Sequence, residues 1–588
     1  MSNAITTAEQ DALYTRQYGV HYTPPEMILQ CIRPLFLKAL EDRTDVACQR
    51  PTPTASLTLL QELSELKILD PACGSGNFLV CIYQHLQHLQ AQLLEHCASL
   101  DAPRSKRRLR LSQFTGFDID TKALKTAHER LTEAAENTDN TRPTLKAVNA
   151  LREDWHAHLR ITPTTYITGN PPFLGKKART QAQREELRLV FGALRRAGTL
   201  DYCTAWLFKA AETLGKSGAR CAFILTNSIT HGEQPGVLWT ALTTRFHTRI
   251  HFARKSQPWS QSSEKAQVHV VIIGIQNEPV SQSRLIEADG TVHYQQHAVS
   301  PHLTLGSPVV VVPRDRPLHD GPAARYGSMP NDGGALLFSP GEYEKVIAET
   351  PSLDGAFRPF HSARKMLRGT HRYCLWLADD ATFLHHPFVK ERVHAVATHR
   401  RRSTRSSTRL MAERPHRFGE DRQPSKPYMI IPRHTSQHHL FIPCVPVSPD
   451  HIAGDTCVTV LARDPFLMGC LCSETHRLWV HHIAGRIKSD LRYSIQMAYN
   501  TFPLPQNSTP VHKQAVEDAT TRFFQEWDGV MVRTTDQFNA STQLAHMEMN
   551  KAVDRCFGFP ANPTDVQRMA HLFSLYSSLI ENERGRES

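Results

Sequence analysis

Two different patterns of hydrophobic and polar positions divide the chain near residue 300. Before that point, short apolar runs alternate with longer segments in which apolar residues recur at helical spacing. The short runs predict strands at 67–70, 114–118, 145–150, 165–169, 219–226 and 268–275. Strands that alternate with helices predict a doubly wound, Rossmann-like α/β sheet with helices on both faces. Such sheets bind their ligands at the carboxyl ends of the strands.

Beyond residue 300 the apolar runs are shorter and lie between turns rich in proline, glycine and asparagine, as at 309–312, 428–431 and 440–442. This pattern predicts a mixed α/β region that is less regular than the first half. Residues from about 510 onward have the spacing of helices. We therefore expect a lead-in over 1–17, an α/β domain over 18–300, a mixed α/β domain over 301–507 and a helical C-terminal segment over 508–588.

The stretch 166–173, Tyr-Ile-Thr-Gly-Asn-Pro-Pro-Phe, ends the fourth predicted strand in a rigid tip. Asn170 precedes a proline and is kept out of helical geometry, and Pro171 and Pro172 lack a backbone N–H. The Asn170 side chain and the Pro171 carbonyl can accept two hydrogen bonds from an amino group, and Phe173 can stack on a flat ring. This combination fits the exocyclic amine of a base flipped out of a duplex. The alternative is a plain strand exit with proline as the stop signal.

A second motif, Asp-Pro-Ala-Cys-Gly-Ser-Gly over 70–76, joins the first predicted strand to a helix that begins near Phe78. Gly74 and Gly76 permit a tight turn and the close approach of a ligand. The spacing matches neither GxGxxG nor a phosphate-binding loop, and the Asp70 carboxylate disfavours phosphate. It favours a cationic or zwitterionic ligand, such as the amino-acid part of S-adenosylmethionine. A tight strand–helix turn without a ligand is the alternative.

Polar residues also end the second and third predicted strands. Asp118 is placed to bind ribose hydroxyls, Ile119 lies beside the face of an adenine, and Asp120 is expected to cap the next helix. Asn149 leaves the third strand where it can touch the edge of the same adenine. All four strand ends thus converge on one site, and this convergence is a stronger argument than any single motif.

Thr-Pro-Pro-Glu over 23–26 predicts the start of a helix. Thr23 suits the N-cap, Pro24 suits the first helical position, and Glu26 suits the third position of a capping box. The apolar residues that follow recur at helical spacing.

Composition restricts the class of protein. The 588 residues carry a formal net charge of +11 with a pI near 9.0, which allows a polyanionic partner. No apolar run is long enough for a transmembrane helix, and the polar N-terminus lacks a signal-peptide core, so we expect a cytoplasmic protein. The 13 cysteines are scattered, which is typical of reduced thiols. Cys470 and Cys472 lie near His476, but their apolar neighbours favour a buried segment over zinc, and we expect no metal site.

The order of the motifs, Thr-Pro-Pro, Asp-Pro-Ala-Cys-Gly-Ser-Gly, Phe-Asp-Ile-Asp and Asn-Pro-Pro-Phe, resembles the DNA methyltransferases that modify amino groups. Further segments resemble the MmeI-like, type IIL family, namely 225–234, 327–334, 358–360, 372–377 and 485–494. The resemblance covers most of the chain from about 18 to 580. It implies a seven-stranded methyltransferase domain followed by a target-recognition domain in one polypeptide. Members often carry an N-terminal nuclease, for which residues 1–17 leave no room.

The resemblance implies N6-adenine methylation of double-stranded DNA by base flipping, with S-adenosylmethionine as the cofactor, in restriction–modification or phage defence. It implies that the flipped adenine is held by Asn170, Pro171, Pro172 and Phe173. It implies that the cofactor contacts Tyr22, Thr23, Asp70, Pro71, Ala72, Gly74, Gly76, Asn77, Phe78, Asp118, Ile119 and Asn149.

Basic residues in the second half are candidates for contact with DNA. The run 399–409 is dense in arginine and hydroxyl side chains, which suit phosphate or guanine. The DNA-binding candidates are Arg400, Arg401, Arg402, Arg405, Arg409, Arg433, Arg486, Lys488 and Arg492. For any one of them a solvated basic face is the alternative.

Two other functions stay open at this point. One is methylation of RNA or of a protein amide, because Asn-Pro-Pro-aromatic tips also hold those groups. The other is a recognition and modification subunit of a defence complex that has a separate nuclease. Because one chain contains both regions, we expect a monomer.

Overall fold

The computed structural model describes residues 23–102, 107–135, 141–259, 268–377, 381–487, 490–506, 508–532, 534 and 537–587. The chain divides into two compact units between Val310 and Val311. The domain limits expected at 300 and 507 stay predictions. No helix in the described ranges is long and apolar enough to cross a membrane.

The first unit is built on one mixed sheet of nine strands, two more than the seven expected. Its strands are β1 Lys67–Asp70, β2 Phe114–Asp118, β3 Thr144–Ala147, β4 Thr165–Gly169, β5 Arg220–Thr226, β6 Arg249–Pro258, β7 His269–Gln276, β8 Ser283–Ile286 and β9 Val292–Gln295. Their order in the sheet is β3-β2-β1-β4-β5-β7-β6-β8-β9. Strands β1 to β5 are mutually parallel, and β7 runs antiparallel to both of its neighbours. The extra strands β8 and β9 are short and pair around a turn at Asp289 and Gly290.

Helices cover this sheet. They are α1 Pro25–Ile32, α2 Lys38–Cys48, α3 Thr54–Glu65, α4 Asn77–Ser99, α5 Thr121–Ala134, α6 Gln181–Phe191, α7 Thr204–Leu214 and α8 Gln234–Phe246. The central strands are buried on both faces, so their sequences are continuous apolar runs instead of alternating ones. Ile68, Ile167, Phe223 and Ile272 are fully buried in this core. The α/β fold predicted for this half is confirmed, with a sheet that is mixed because β7 is antiparallel.

The predicted capping box at the first helix is wrong. Helix α1 begins at Pro25, its N-cap is Pro24, and no side chain caps it. The Thr23 hydroxyl instead accepts a hydrogen bond from the Asn170 side-chain amide, 3.2 Å away. A tertiary contact has replaced the local one. By contrast, Asp120 caps α5 as predicted, accepting from the backbone amides of Lys122 and Ala123.

The second unit contains three small sheets, with the orders β10-β18-β14-β16, β11-β13-β12-β17 and β15-β20-β19. The strands are β10 Ala324–Tyr326, β11 Leu337–Phe338, β12 Phe357–His361, β13 Arg372–Leu375, β14 Tyr428–Pro432, β15 His434–Thr435, β16 Val445–Val447, β17 Ile452–Ala453, β18 Cys457–Val460, β19 Gly485–Ile487 and β20 Asp490–Arg492. The helices are α9 Pro340–Glu349, α10 Ala363–Met366, α11 Pro387–Arg401, α12 Ser406–Leu410, α13 Pro465–Cys472, α14 Glu474–Ile483, α15 Pro510–Glu526, α16 Ala540–Phe557 and α17 Asp565–Glu587. The predicted mixed α/β region and the helical C-terminus are confirmed.

One apolar run of this unit is buried without forming a strand. Phe441 and Ile442 lie in an irregular segment. The Phe441 ring packs edge-on against Phe523 and Trp527, each at a centroid distance of 5.4 Å. Packing against helix α15 therefore takes the place of strand pairing.

Candidate active site

A cavity of about 520 Å³ lies at the carboxyl ends of β1 to β4. This is the edge at which doubly wound sheets bind their ligands, and the volume is that of an ordinary small-molecule site. Its lining includes these predicted residues: Thr23, Asp70, Pro71, Ala72, Gly74, Asn77, Phe78, Asp118, Ile119, Asn149, Asn170 and Pro172. Gly76, Pro171 and Phe173 do not line the cavity, and Tyr22 lies outside the described residues.

The glycine loop after β1 is shaped by close packing against α5. Gly76 has a φ of +82°, and a Cβ added there would lie 2.9 Å from the Ala127 Cβ. The Arg130 guanidinium crosses from α5 to donate to the Ser75 carbonyl and to Asn77 Oδ1 at 2.8 and 2.6 Å. Only glycine tolerates both the backbone angle and the contact. The loop is therefore held rigidly at the cavity wall.

Asp70 is a buried carboxylate at the end of β1, with 1% of its surface exposed. Its Oδ1 accepts a hydrogen bond from the Ala72 amide at 3.0 Å. A Cβ on Gly169 would lie 2.4 Å from the same oxygen, so glycine at that position leaves room for the carboxylate. Burial raises the pKa of Asp70 to about 8, and nearby Asp118 adds to the rise. A cation at this end of the cavity would relieve that cost.

Asp118, at the end of β2, accepts hydrogen bonds from the backbone amides of Gly74 and Asp120, both at 2.9 Å. Burial raises its pKa above the ordinary value, against these hydrogen bonds. Beside it, Ile119 is 54% exposed although it is a large apolar residue. A carboxylate next to an uncovered apolar side chain suits a ligand with hydroxyl groups and a flat ring.

The side-chain amide of Asn170 is only partly satisfied by hydrogen bonds within the protein. Its Nδ2 donates to Thr23 Oγ1 at 3.2 Å. Its Oδ1 is buried and has no hydrogen-bond partner among the described residues. A buried carbonyl oxygen without a partner is costly, and such sites are usually functional or await a ligand. The tip therefore contains an unpaired hydrogen-bond acceptor that a donor group of a ligand could satisfy.

Phe173 lies beyond this amide and is 8% exposed. Its ring meets Trp259 edge to face, with centroids 5.7 Å apart and planes at 90°. The contact fixes the plane of the Phe173 ring relative to the tip.

Sequence reasoning missed one wall of the cavity. This wall contains Thr180, Ala182, Gln183, Glu186, Tyr202 and Trp206. They come from the N-terminal half of α6, from the segment before α7 and from α7 itself. The Trp206 indole donates to the Pro71 carbonyl at 2.9 Å and so ties α7 to the glycine loop. No motif signals these residues, because their approach to the cavity depends on how the helices pack.

Glu186 is the most unusual member of this wall, a carboxylate with 6% exposure. Its Oε1 accepts from Asn149 Nδ2 at 2.7 Å and its Oε2 accepts from the Tyr202 hydroxyl at 2.5 Å. The Arg152 Nε lies 3.5 Å from Oε1. Burial of the Tyr202 hydroxyl and its hydrogen bond to this carboxylate raise the pKa of Tyr202.

In the second unit, the expectation that Arg400 contacts DNA is wrong. Arg400 is 1% exposed. Its guanidinium donates to five backbone carbonyls, those of Pro330, Asn331, Met411, Arg414 and Arg417, at 2.8 to 3.0 Å. The sequence did contain a signal, because Arg400 follows Val389, Val396 and Ala397 on the buried face of α11. Arg400 is a structural anchor.

The other basic candidates fall into two groups. Arg401, Arg402, Arg405 and Arg409 are exposed at and after the end of α11, and Arg409 donates to the Ser403 and Thr404 carbonyls. The second group lies in or beside the small sheet of β15, β20 and β19. It contains exposed Arg492 together with the half-buried Arg433 and Arg486.

Internal contacts hold both of these half-buried arginines. Arg433 donates to the Asp455 carbonyl and lies 4.2 Å over the Tyr326 ring. Arg486 donates to Gln437 and to the His481 carbonyl, and burial lowers its pKa. Lys488 lies outside the described residues.

No cluster of histidine, cysteine and carboxylate side chains in the described ranges is arranged to hold a metal ion. The Cys470 and Cys472 thiols are buried in α13, and burial raises the pKa of both. The His476 ring is also buried, and its Nδ1 lies 2.6 Å from the Leu471 carbonyl.

Comparison with known proteins adds three kinds of match. Residues 47–287 match a family model described as the MmeI DNA-methyltransferase domain, and residues 306–506 match the MmeI target recognition domain. The chain is 31% identical over 602 residues to DNA methyltransferase A of Bacillus subtilis (strain 168), covering 96% of this chain and 67% of that protein. It also superimposes on the type IIL restriction-modification enzyme MmeI, solved in complex with DNA. That match has a TM-score of 0.82 and 30% identity and covers 98% of this chain and 81% of that one.

Proposed function

Because the chain belongs to the MmeI-like family of DNA methyltransferases, we propose that it methylates the N6 amino group of adenine in double-stranded DNA, with S-adenosylmethionine as the methyl donor. One observation supports this choice above all: Asn170 lines the cavity, and its Oδ1 is buried with no partner in the described part of the chain. An exocyclic amine is a hydrogen-bond donor and would satisfy it. A carbonyl at the same place, as in guanine or thymine, would face it oxygen to oxygen.

The cavity suits the proposed cofactor in three places. The ammonium group of its amino-acid part would be favoured beside Asp70, whose raised pKa reflects an uncompensated buried carboxylate. Its ribose hydroxyls would be received by Asp118, and its base by Ile119 and Asn149. Gly74, Gly76, Asn77 and the other predicted cofactor residues would form or support the wall. When bound, S-adenosylmethionine supplies an electrophilic methyl group.

The residues of the tip would position the acceptor nitrogen. Asn170 Oδ1 and the Pro171 carbonyl would accept the two amino hydrogens, which draws the nitrogen lone pair out of conjugation with the ring. Thr23 occupies the other end of the amide, because its hydroxyl accepts from Nδ2. Pro172 stiffens the backbone, and Phe173, which packs against Trp259, would stack on the base once the base has entered the site. No strong base is needed, since orientation supplies most of the rate enhancement.

Double-stranded DNA is the proposed partner. The exposed arginines at 401, 402, 405, 409 and 492 suit phosphate or guanine contacts, and the related MmeI was solved in complex with DNA. A target buried in a duplex would have to be flipped into the cavity. A monomeric enzyme in the cytoplasm, acting in restriction–modification, fits this activity.

Transfer of a labelled methyl group from S-adenosylmethionine tests the proposal. Purified protein is offered duplex DNA, RNA and protein acceptors in parallel, beside the Asn170→Ala variant and the control Gln181→Ala, an exposed residue on α6. We expect label in DNA adenine for the wild type and for the control, and at least a 100-fold loss for Asn170→Ala. Label in RNA or protein instead of DNA would refute the proposed substrate.

A further inference from the structure

The side chain of Asn149 is committed on one side by two hydrogen bonds within the protein. Its Nδ2 donates to Glu186 Oε1 at 2.7 Å, and its Oδ1 accepts from the Leu151 amide at 3.0 Å. An asparagine side chain has two donor hydrogens and two acceptor lone pairs. One of each is therefore left, and within the described residues nothing else engages them.

Glu186 determines which way this amide faces. Its carboxylate oxygens accept hydrogen bonds, and they already accept from Tyr202 and face Arg152 Nε at 3.5 Å. If the Asn149 amide were flipped, its oxygen would face the Glu186 carboxylate and its NH₂ would face the Leu151 N–H. Both contacts would be repulsive. The amide is thus locked with its nitrogen toward α6.

The remaining donor and acceptor match one base edge better than another. On the edge that carries N1 and the C6 substituent, adenine offers a ring-nitrogen acceptor next to an amino donor. An asparagine amide can pair with this pattern bidentately. Hypoxanthine offers a ring N–H donor next to a carbonyl acceptor, the reverse pattern. An amide locked in the orientation that pairs with adenine would place donor against donor and acceptor against acceptor with hypoxanthine.

We propose that Glu186 is a positioning residue that makes the cavity selective for an adenosyl cofactor, by fixing the orientation of the Asn149 amide. Glu186 acts through Asn149 and does not need to touch the cofactor. The proposal rests on the proposed function, because it takes the cavity to hold S-adenosylmethionine. It adds a source of base selectivity that lies on α6, outside the strand-end motifs.

Calorimetric binding of two demethylated analogues, S-adenosylhomocysteine and S-inosylhomocysteine, tests this inference without turnover. The wild type should prefer the adenosyl compound by about 10- to 100-fold, the discrimination ordinary for a bidentate amide contact. In Glu186→Gln the new amide can donate to Asn149 Oδ1, so the flipped Asn149 amide meets one repulsive contact, with the Leu151 N–H, instead of two. The preference should then fall by at least about 3-fold. Glu185→Gln removes the same charge from an exposed neighbour on α6 and should keep the wild-type preference.

Two further variants guard against a folding defect in Glu186→Gln. Asn149→Ala removes the amide itself and should also abolish the preference, whereas Tyr202→Phe leaves the carboxylate in place and should retain it. A wild-type preference in either Glu186→Gln or Asn149→Ala would overturn the inference. A wild type that binds both compounds equally would also overturn it while leaving the proposed function standing. A wild type that binds neither would refute both.

Discussion

Replacing Arg400 by alanine should lower the free energy of unfolding of the second unit. It should not remove a direct contact with DNA, because Arg400 is buried. The guanidinium joins five carbonyls from three segments, at 330–331, 411–414 and 417, to α11. Removing it leaves these acceptors buried around a void. Each buried acceptor that loses its donor ordinarily costs about 1–3 kcal/mol, and water entering the void would satisfy some of the five, so we expect a loss of about 4 kcal/mol. For a unit of this size that loss lowers the unfolding midpoint by about 10 °C.

The neighbour Arg401 provides the matched control, because it is exposed at the end of the same helix. Arg401→Ala should change stability by less than about 0.5 kcal/mol. If Arg401 contacts a phosphate, its loss should weaken DNA binding for all sequences. It should also reduce the slope of log binding constant against log salt concentration by about one. Calorimetry of unfolding measures the change in stability. Titrations with DNA at several salt concentrations measure the change in affinity. An Arg400→Ala protein that keeps its midpoint but loses DNA affinity would refute the structural assignment.

Three further outcomes follow from the first unit. The pKa of Asp70 is raised to about 8 in the folded state, so between about pH 4 and 8 the folded state holds a proton that the unfolded state has lost. The contribution of Asp70 to the free energy of unfolding therefore falls as pH rises from about 4 to 8 and is constant above about pH 8. The stability of Asp70→Asn relative to wild type should therefore increase over that range, by at most about 6 kcal/mol in urea titrations. Gly76→Ala should cost about 2–3 kcal/mol, because a positive φ and the Ala127 contact both oppose a Cβ. Gly74→Ala, with open space around it, should cost about 1 kcal/mol, and equal losses for the two would contradict this account.

The cavity could be predicted where its residues follow strands directly. Asp70, Asp118 and Asn170 end three parallel neighbouring strands, and parallel strands bring their carboxyl ends to one edge of a sheet. Apolar runs and turn residues fixed those positions from local signals alone. Glu186 and Tyr202 carry no such signal, because the direction of a helical side chain depends on how the helix packs.

Two errors arose where a tertiary contact outweighs a local preference. Thr23 has the sequence of a helix cap, but its hydroxyl accepts from Asn170, which is 147 residues away. Arg400 sits in a basic run that suggests an exposed face, yet it points inward with the apolar stripe of α11. In both positions a buried hydrogen-bonding group elsewhere in the fold required a partner.

Long-read modification calling on DNA from cells that express the protein tests the central claim most directly. The wild type should leave N6-methylated adenine in one short recurring sequence. The Asn170→Ala variant, which lacks the unpartnered Oδ1, should leave none at the same expression level. Methylated adenine at equal frequency in both samples, or in neither, would contradict the account.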